Sequence, residues 1–429
     1  MVPNGLAFVL LCFLAAVKSS SSSLLYNGTT CTISVCKIDD ETLRFFHIGD
    51  WGGQDTPPFV TPAQTAVATT MNRMGEERRV HFTVSVGDNF YTSGPKYAND
   101  SRFRTTFDDV YTFGKSARVP WYIVAGNHDY YGNVTAQLNY VHLNPRWVFP
   151  NLSYVAHYEL TPTSTTFDFI YLDTVILCGE TSLGGKDPIT GKKMSAYELP
   201  KGPKNPTQAE ALWTWLQVQL EESKADYLFV VTHYPIFSAG HHGDFTCPGT
   251  RLLALLEQHN VTALLFGHDH NLQHLKTVSP RGVVVHHILS GGGNSLDKRK
   301  RSINSRGVNV KALFFYPKPE QHRLPNTANV GGFVYSEIGH QNGSFTFYSG
   351  DGKELYRIVV YSRTLMRLET SGGALYYYNF SNDEYSIQKA LFYSTALFTL
   401  WLIGMILVRR SVRSNRTKEL RDHLPVSDI

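Results

Sequence analysis

The chain has 429 residues, of which 42% are hydrophobic and 13% aromatic, ample for one large buried core or two smaller ones. Its net charge of +4 is spread along the chain, with several basic residues in the tail after Val408. There is no basic stripe of the kind that marks a nucleic-acid binder, and no nucleic-acid partner is expected.

In chain order, residues 6–17 form an apolar core of signal-peptide length and serines 19–23 follow it, which predicts a cleaved signal over residues 1–22. No basic residue precedes that core, and it is too short to span a bilayer. Residues 23–362 are read as the folded domain. Within its leader, 24–40, Cys31 and Cys36 lie close enough for a local loop, and without a second pair of that spacing a disulfide is favoured over a metal site.

Leu43–Ile48 reads as a strand of bulky residues ending at Gly49-Asp50-Trp51-Gly52, and Pro62–Met74 as a helix with proline near its start. Val80–Val86 is a strand ending at Gly87-Asp88-Asn89-Phe90-Tyr91, and Val119–Val124 runs into Gly126-Asn127-His128-Asp129. Phe167–Cys178 is a longer β-rich run. Thr207–Ser223 reads as a helix, with Thr207 as N-cap and Glu210 completing a capping box. Tyr227–Val231 ends at Thr232-His233-Tyr234-Pro235. Arg251–His259 is helical, Val261–Phe266 is a strand ending at Gly267-His268-Asp269-His270, and Val283–Leu289 ends at Ser290-Gly291-Gly292-Gly293.

Residues 182–206, rich in Gly, Pro, Lys and Ser, form a long loop, and the basic run Lys298-Arg299-Lys300-Arg301 is read as a solvated loop rather than a substrate-attracting patch. The alternating stretches Gly332–Ile338, Ser344–Tyr348 and Leu355–Tyr361 read as antiparallel strands of a second sheet. The fold expected is α/β: two stacked mixed β-sheets flanked by helices, with ligands bound at the carboxyl ends of strands.

A stalk over 363–389 leads to Ala390–Val408, an uncharged apolar run long enough to cross a ~30 Å hydrocarbon layer. Arg409, Arg410 and Arg413 follow, which places the tail 409–429 in the cytosol. The expected topology is a single-pass type I membrane protein with an extracellular or lumenal domain, at the cell surface or in an endosome- or lysosome-like compartment. Glycosylation sequons at Asn27, Asn99, Asn133, Asn151, Asn260, Asn342 and Asn379 all precede the span, whereas Asn415 sits in the tail and should stay bare. Cys12 leaves with the signal, and Cys31, Cys36, Cys178 and Cys247 allow three pairings that spacing does not choose among.

The five polar clusters at strand ends carry the chemistry. Hydrolysis of a phosphate monoester needs an electrophilic clamp on the phosphoryl oxygens and a nucleophilic water, and two adjacent metals supply both. Asp50 and Asp88 are candidates to bridge such a pair, His233, His268 and His270 to give nitrogen donors, and Asn127 a neutral oxygen. In extended backbone His268 and His270 point the same way while Asp269 points elsewhere.

These clusters resemble those of the calcineurin-like metallophosphoesterases and, within them, the purple acid phosphatases of the mammalian tartrate-resistant type. The resemblance runs from Leu43 to Tyr361 and extends to Tyr130-Tyr131-Gly132-Asn133-Val134-Thr135-Ala136-Gln137, Arg146-Trp147-Val148-Phe149-Pro150 and Leu289–Asn294. It implies a four-layer αββα fold in which Asp50, Tyr91 and His270 bind one metal, Asp88 bridges, and Asn127, His233 and His268 complete the second. The wider superfamily carries Asp-x-His at the first cluster; here Gly52 stands at the second place and Tyr91 follows Asp88 by three, the exchange that marks the purple group. Two carboxylates and a tyrosinate suit Fe(III), and an amide with two imidazoles suits a divalent Fe, Zn or Mn ion. The implied reaction is hydrolysis of small phosphomonoesters or phosphoproteins by metal-bound hydroxide at acid pH. His128 and His242 are expected to bind phosphate and protonate the leaving oxygen, with His241 as an adjacent competitor. The resemblance also pairs Cys178 with Cys247 and leaves Cys31 with Cys36.

Two rival readings remain. One is a Mn/Zn phosphodiesterase of the same superfamily, against which Gly52 and Tyr91 argue. The other is a surface or sorting receptor that keeps the fold without catalysis, against which the complete ligand set argues.

Overall fold

Leu43–Ile48 forms the strand expected of it, and every residue but Arg44 is buried. A strand covered on both faces reads as a continuous bulky run rather than an alternation. Phe45 faces inward, its ring stacked on Phe82 and edge-on to Phe169, Phe229 and Phe345. Phe46 faces the other way, against Phe113, Phe333 and Tyr335. This strand lies fourth in a seven-stranded sheet. Phe82–Ser85, Trp121–Ile123 and Trp147–Val148 run parallel to it on one side. On its other side lie the antiparallel Gly332–Ile338, Asn342–Ser349 and Glu354–Tyr361.

The computed structural model describes residues 24–26, 29–31, 35–114, 119–181, 185–186, 193–194, 199–318 and 330–365. The chain divides into two compact units, Met1–Gly372 and Gly373–Ile429, and all described residues belong to the first. The expected signal, the apolar run 390–408, the tail, most of the stalk, and Asn27, Asn379 and Asn415 lie outside the described residues. Among the described residues no helix is long and apolar enough to cross a membrane.

A ten-stranded sheet supplies the second layer. Its parallel centre is Thr165–Tyr171, Tyr227–Val231, Ala263–Phe266 and Val284–Ser290. Leu272–Val278 and Val310–Tyr316 extend one edge in antiparallel fashion, while Tyr154–Leu160 and the short strands Cys36–Ile38, Thr29–Cys31 and Leu24–Tyr26 extend the other. One apolar core fills the space between the sheets and reaches the helix Pro62–Glu77 through Val67, Met71 and Met74. A second core packs the ten-stranded sheet against the helices Thr174–Cys178, Pro206–Glu222 and Thr246–Gln258, through Ile170, Leu228, Val230, Leu216 and Leu252. The α/β architecture of two mixed sheets with helices is thus as expected.

Several local expectations are corrected. The run Phe167–Cys178 is a strand, Thr165–Tyr171, followed by the helix Thr174–Cys178, because Asp173 accepts a hydrogen bond from Ile176 N and caps it. The helix expected at Thr207 starts at Pro206, and its N-cap is Asn205, which accepts from Gln208 N. The helix expected at Arg251 begins at Thr246, with Cys247 in non-helical geometry inside it. The long loop 182–206 contains a two-residue ladder, Gly185–Lys186 with Lys193–Met194, and its remainder up to residue 198 lies outside the described residues. Arg363, the first residue of the expected stalk, is buried and donates to the carbonyls of Ala225 and His259 at 3.1 and 2.8 Å. The disulfides are Cys31–Cys36 and Cys178–Cys247, the pairing that the resemblance implied.

Candidate metal centre

The five clusters meet where the carboxyl ends of the two parallel sheet centres face each other. One backbone bond crosses between the sheets, Gly49 N to Ser290 O at 2.7 Å, and two join neighbouring strand ends within a sheet, Asp50 N to Gly87 O at 2.9 Å and Gly267 N to His233 O at 3.2 Å. Asp50, Asp88 and His268 take left-handed backbone conformations, with φ of 55°, 52° and 75°. Such conformations are uncommon for non-glycine residues and collect at functional sites. Gly126 has to be glycine, since a Cβ there would lie 2.2 Å from Asp88 Oδ1.

All seven expected ligands come together. Tyr91 Oη lies 3.1 Å from Asp50 Oδ1, 3.2 Å from Asp88 Oδ2 and 3.0 Å from His270 Nε2. His233 Nε2 lies 3.0 Å from Asn127 Oδ1, 3.2 Å from His268 Nδ1 and 3.4 Å from Asp88 Oδ1. Two donor groups result, Asp50–Asp88–His270 and Asp88–His233–His268, each with ligand atoms within 4.8 Å of one another, and Asp88 belongs to both.

The protons in this cluster are too few for its acceptors. His233 Nδ1 lies 2.8 Å from Val86 O, a carbonyl that can only accept, so the ring's proton sits there. Burial holds His233 below the usual histidine range, and His268 well below it. His233 Nε2 therefore presents a lone pair to Asn127 Oδ1 and Asp88 Oδ1, both of which are acceptors as well. On the other side a single Tyr91 hydroxyl proton serves two carboxylates and an imidazole. Burial and the facing Asp88 push Asp50 well above the usual carboxylate range, and burial with both carboxylates does the same to Tyr91. Converging lone pairs and buried acids that resist ionising together fit a cation pair, which supplies the missing positive charge.

Gly52 shows why no histidine follows Asp50 by two. A Cβ at that position would lie 2.4 Å from Phe90 Cα, because the loop that delivers Tyr91 fills the space. Arg102 ties the two loops together, its Nη2 donating to Gly52 O at 3.0 Å and to Tyr91 O at 2.7 Å.

His128 packs beside Tyr91 and Asp88, and His242 beside His268. His128 Nδ1 lies 2.7 Å from Thr92 O, and its Nε2 is 3.9 Å from Asp88 Oδ2. The His242 ring centroid is 4.6 Å from that of His268, and His241 stands behind it, 5.2 Å from His242. Burial and the neighbouring histidines hold His242 down at about 3.

The residues around these were not singled out in the sequence. Asp129, one place after His128, accepts from Gly126 N at 2.8 Å, Gln137 Nε2 at 2.7 Å and Asn89 N at 3.1 Å. It thereby locks the Asp88 loop to the Asn127 loop. Asp269, expected only to point away from the cluster, accepts from Ser238 Oγ at 2.5 Å and His242 N at 2.8 Å and so sets the loop that carries His242. Burial raises both carboxyls, Asp129 to about 7 with help from the Asp88 charge and Asp269 to about 6. Ser295 Oγ lies 2.8 Å from His270 Nδ1 and orients that ring. The available signal was position: Asp129 and Asp269 sit inside the motifs beside the expected ligands.

Comparison with known proteins agrees with this geometry. Residues 43–272 match the calcineurin-like phosphoesterase family. The chain is 37% identical to rat tartrate-resistant acid phosphatase type 5 over 75% of its length and 91% of the relative's. It is 31% identical to purple acid phosphatase 17 of Arabidopsis thaliana over 76% of its length and 86% of the relative's. Among solved structures, GAP50 of Plasmodium, described as the anchor in the inner membrane complex, superposes with a TM-score of 0.58 at 25% identity, covering 79% of this chain and 96% of that one. The chain belongs to the calcineurin-like phosphoesterases and, within them, to the purple acid phosphatase group.

Proposed function

We propose that this chain is a membrane-anchored acid phosphatase that hydrolyses phosphate monoesters at a dinuclear Fe(III)–M(II) centre, M being Fe, Zn or Mn. The relatives' names support the monoester hydrolase, and one observation carries the metal pair: lone pairs from seven side chains converge with Asp88 common to both donor groups. Asp50, Tyr91 and His270 would hold the harder ion, whose ligand set is oxygen-rich, and Asn127, His233 and His268 the divalent one, with Asp88 between them. When bound, the pair supplies Lewis acidity, polarising the phosphoryl oxygens and acidifying water.

The chain's own residues do the rest. His128 donates Nδ1–H to Thr92 O and turns Nε2 toward the cluster, within reach of the leaving oxygen as its general acid. His242, set by Asp269 through its backbone, covers the His268 side and is placed to contact a phosphoryl oxygen. The topology is part of the same proposal: an N-terminal signal, a non-cytosolic domain over 23–362, a span at 390–408 and glycans on the sequons before it. Asn99, Asn133, Asn151 and Asn342 are exposed, as glycan acceptors must be, and Asn260 is half-buried.

The test is metal analysis of the purified protein with its absorption spectrum, and mono- and diester hydrolysis measured side by side across pH. One iron and one further metal per chain, a visible tyrosinate-to-iron band and monoester activity peaking below pH 7 are expected. A colourless protein active on diesters would favour the Mn/Zn phosphodiesterase. The likeness to an anchoring protein bears on the second rival, a surface or sorting receptor that keeps the fold without catalysis; a wild type with no turnover, or an Asp88→Asn variant that keeps all cellular function, would support it.

A further inference from the structure

The basic run Lys298–Arg301 is exposed, yet the segment carrying it is pinned to the centre along its length. At its start, Ser295 Oγ meets His270 Nδ1 at 2.8 Å and Asp297 N donates to His270 O at 2.5 Å. In the middle, Arg301 N donates to Ala239 O at 2.8 Å, joining the loop that carries His241 and His242. Beyond it, Asn304 N donates to Asp244 Oδ2 at 2.6 Å, while Asp244 Oδ1 accepts from Ser238 N at 2.8 Å. The strap therefore runs from a candidate ligand of one metal to the loop of a candidate phosphate-contacting histidine. It carries four cations along that rim.

Two of the charges, those of Arg299 and Arg301, reach the loop that carries His241 and His242. Arg301 Cδ lies 4.0 Å from where a Cβ on Gly243 would stand. Burial, and then the Arg299 and Arg301 charges, hold His241 below the usual histidine range. Asp297 takes up Arg299, whose Nε is 2.9 and 2.8 Å from its two carboxylate oxygens. Lys300 Nζ lies 5.4 Å over the Phe315 ring. Among the described residues Lys298, Lys300 and Arg301 have no such carboxylate partner, so the strap carries more basic than acidic side chains along its exposed length. A cleft edged by one sign of charge concentrates the opposite sign and orients it.

We propose that this strap is the specificity element of the enzyme: it selects phosphomonoesters whose leaving group carries a second anionic group, held by Lys298, Lys300 and Arg301 while the scissile phosphate occupies the centre. This rests on the phosphatase reading above.

The test uses detergent-solubilised, metal-loaded full-length protein and a matched substrate pair, fructose 6-phosphate and fructose 1,6-bisphosphate. A peptide with phosphoserine between glutamates, paired with its glutamine counterpart, tells a small from a peptidic source of the second anion. The wild type should prefer the more anionic member of at least one pair about tenfold in kcat/KM, and 0.5 M KCl should erode that preference because exposed charges are screened within about 3–10 Å. Lys298→Gln/Lys300→Gln/Arg301→Gln should remove most of the preference while lowering kcat/KM for the singly charged member less than twofold. Arg301→Glu, which keeps the backbone bond to Ala239, should invert it. An unchanged ratio in both variants, with wild-type turnover intact, overturns this inference and spares the phosphatase reading. No turnover of any substrate by the wild type overturns both.

Discussion

At the scale of single residues, the seven candidate ligands were legible because each follows a strand and the spacing within each cluster is local. The side chains that hold them were not, since their work depends on contacts between distant segments. Asp129 is the clearest case: the N–H groups it binds lie on Asn89, forty positions away, and on Gly126. Its two oxygens face only donors, so Asp129→Asn would turn an amide N–H toward other N–H groups. Loosening both loops should weaken metal binding by about 10–100-fold, the usual cost of losing an outer partner of a ligand. Chelator competition would measure this, with circular dichroism to show that the fold is kept, and unchanged metal affinity would count against a positioning role. Tyr91→Phe is a different experiment. It removes the single hydroxyl among Asp50, Asp88 and His270 while keeping the ring against His128. If the proposed iron centre is present, it should abolish the tyrosinate-to-iron band and leave the divalent ion in place, as read by elemental analysis and the spectrum together.

At the scale of elements, what the sequence revealed depended on how each segment is covered. Leu43–Ile48 and Tyr227–Val231 have the bounds expected of them, because strands buried on both faces read as near-continuous runs of bulky residues. Tyr154–Leu160 was not read from the sequence: its buried Tyr154, Ala156, Tyr158 and Leu160 alternate with His157 and Glu159, and pairing with Thr165–Tyr171 defines it. Phe167–Cys178 was misjudged because apolar residues continue through a change from strand to helix, and the only sign of that change is the cap at Asp173. Caps decide boundaries, and that can be measured. Asn205 Oδ1 accepts from Gln208 N at 3.1 Å, so Asn205→Ala should cost about 1 kcal/mol of stability. Thr207→Ala, at the residue the capping-box pattern favoured, should cost a few tenths at most, in line with exposed helix positions. Urea unfolding of both variants checks this, and equal losses would return the cap to Thr207.

At the scale of the whole molecule, the fold carries buried carboxyls that favour acid conditions, as a working environment below neutrality would require. Asp173 is the most separable of these, since its hydrogen-bond partners are Tyr130 and backbone N–H groups rather than candidate ligands. It is fully buried, accepts from Tyr130 Oη at 2.7 Å and Ile176 N at 2.9 Å, and burial pushes its carboxyl up to about 6. In the unfolded chain the same group titrates near 3.9. The folded value is the higher one, so the stability it contributes is fully present below about pH 4 and is lost as pH rises through about 6. Two units of difference correspond to roughly 3 kcal/mol between those limits, with a factor of two either way. Asp173→Asn mimics the protonated acid: its Oδ1 still caps the helix and its amide still faces Tyr130, but it no longer titrates. Denaturant midpoints should therefore coincide for variant and wild type at pH 4 and separate above pH 6, with the variant the more stable at pH 7.5. Parallel curves across that range would mean that Asp173 ionises in the folded protein as readily as in water. An acid preference of the fold would then have to come from the candidate metal cluster, where the same measurement with metal added and after chelation would find it.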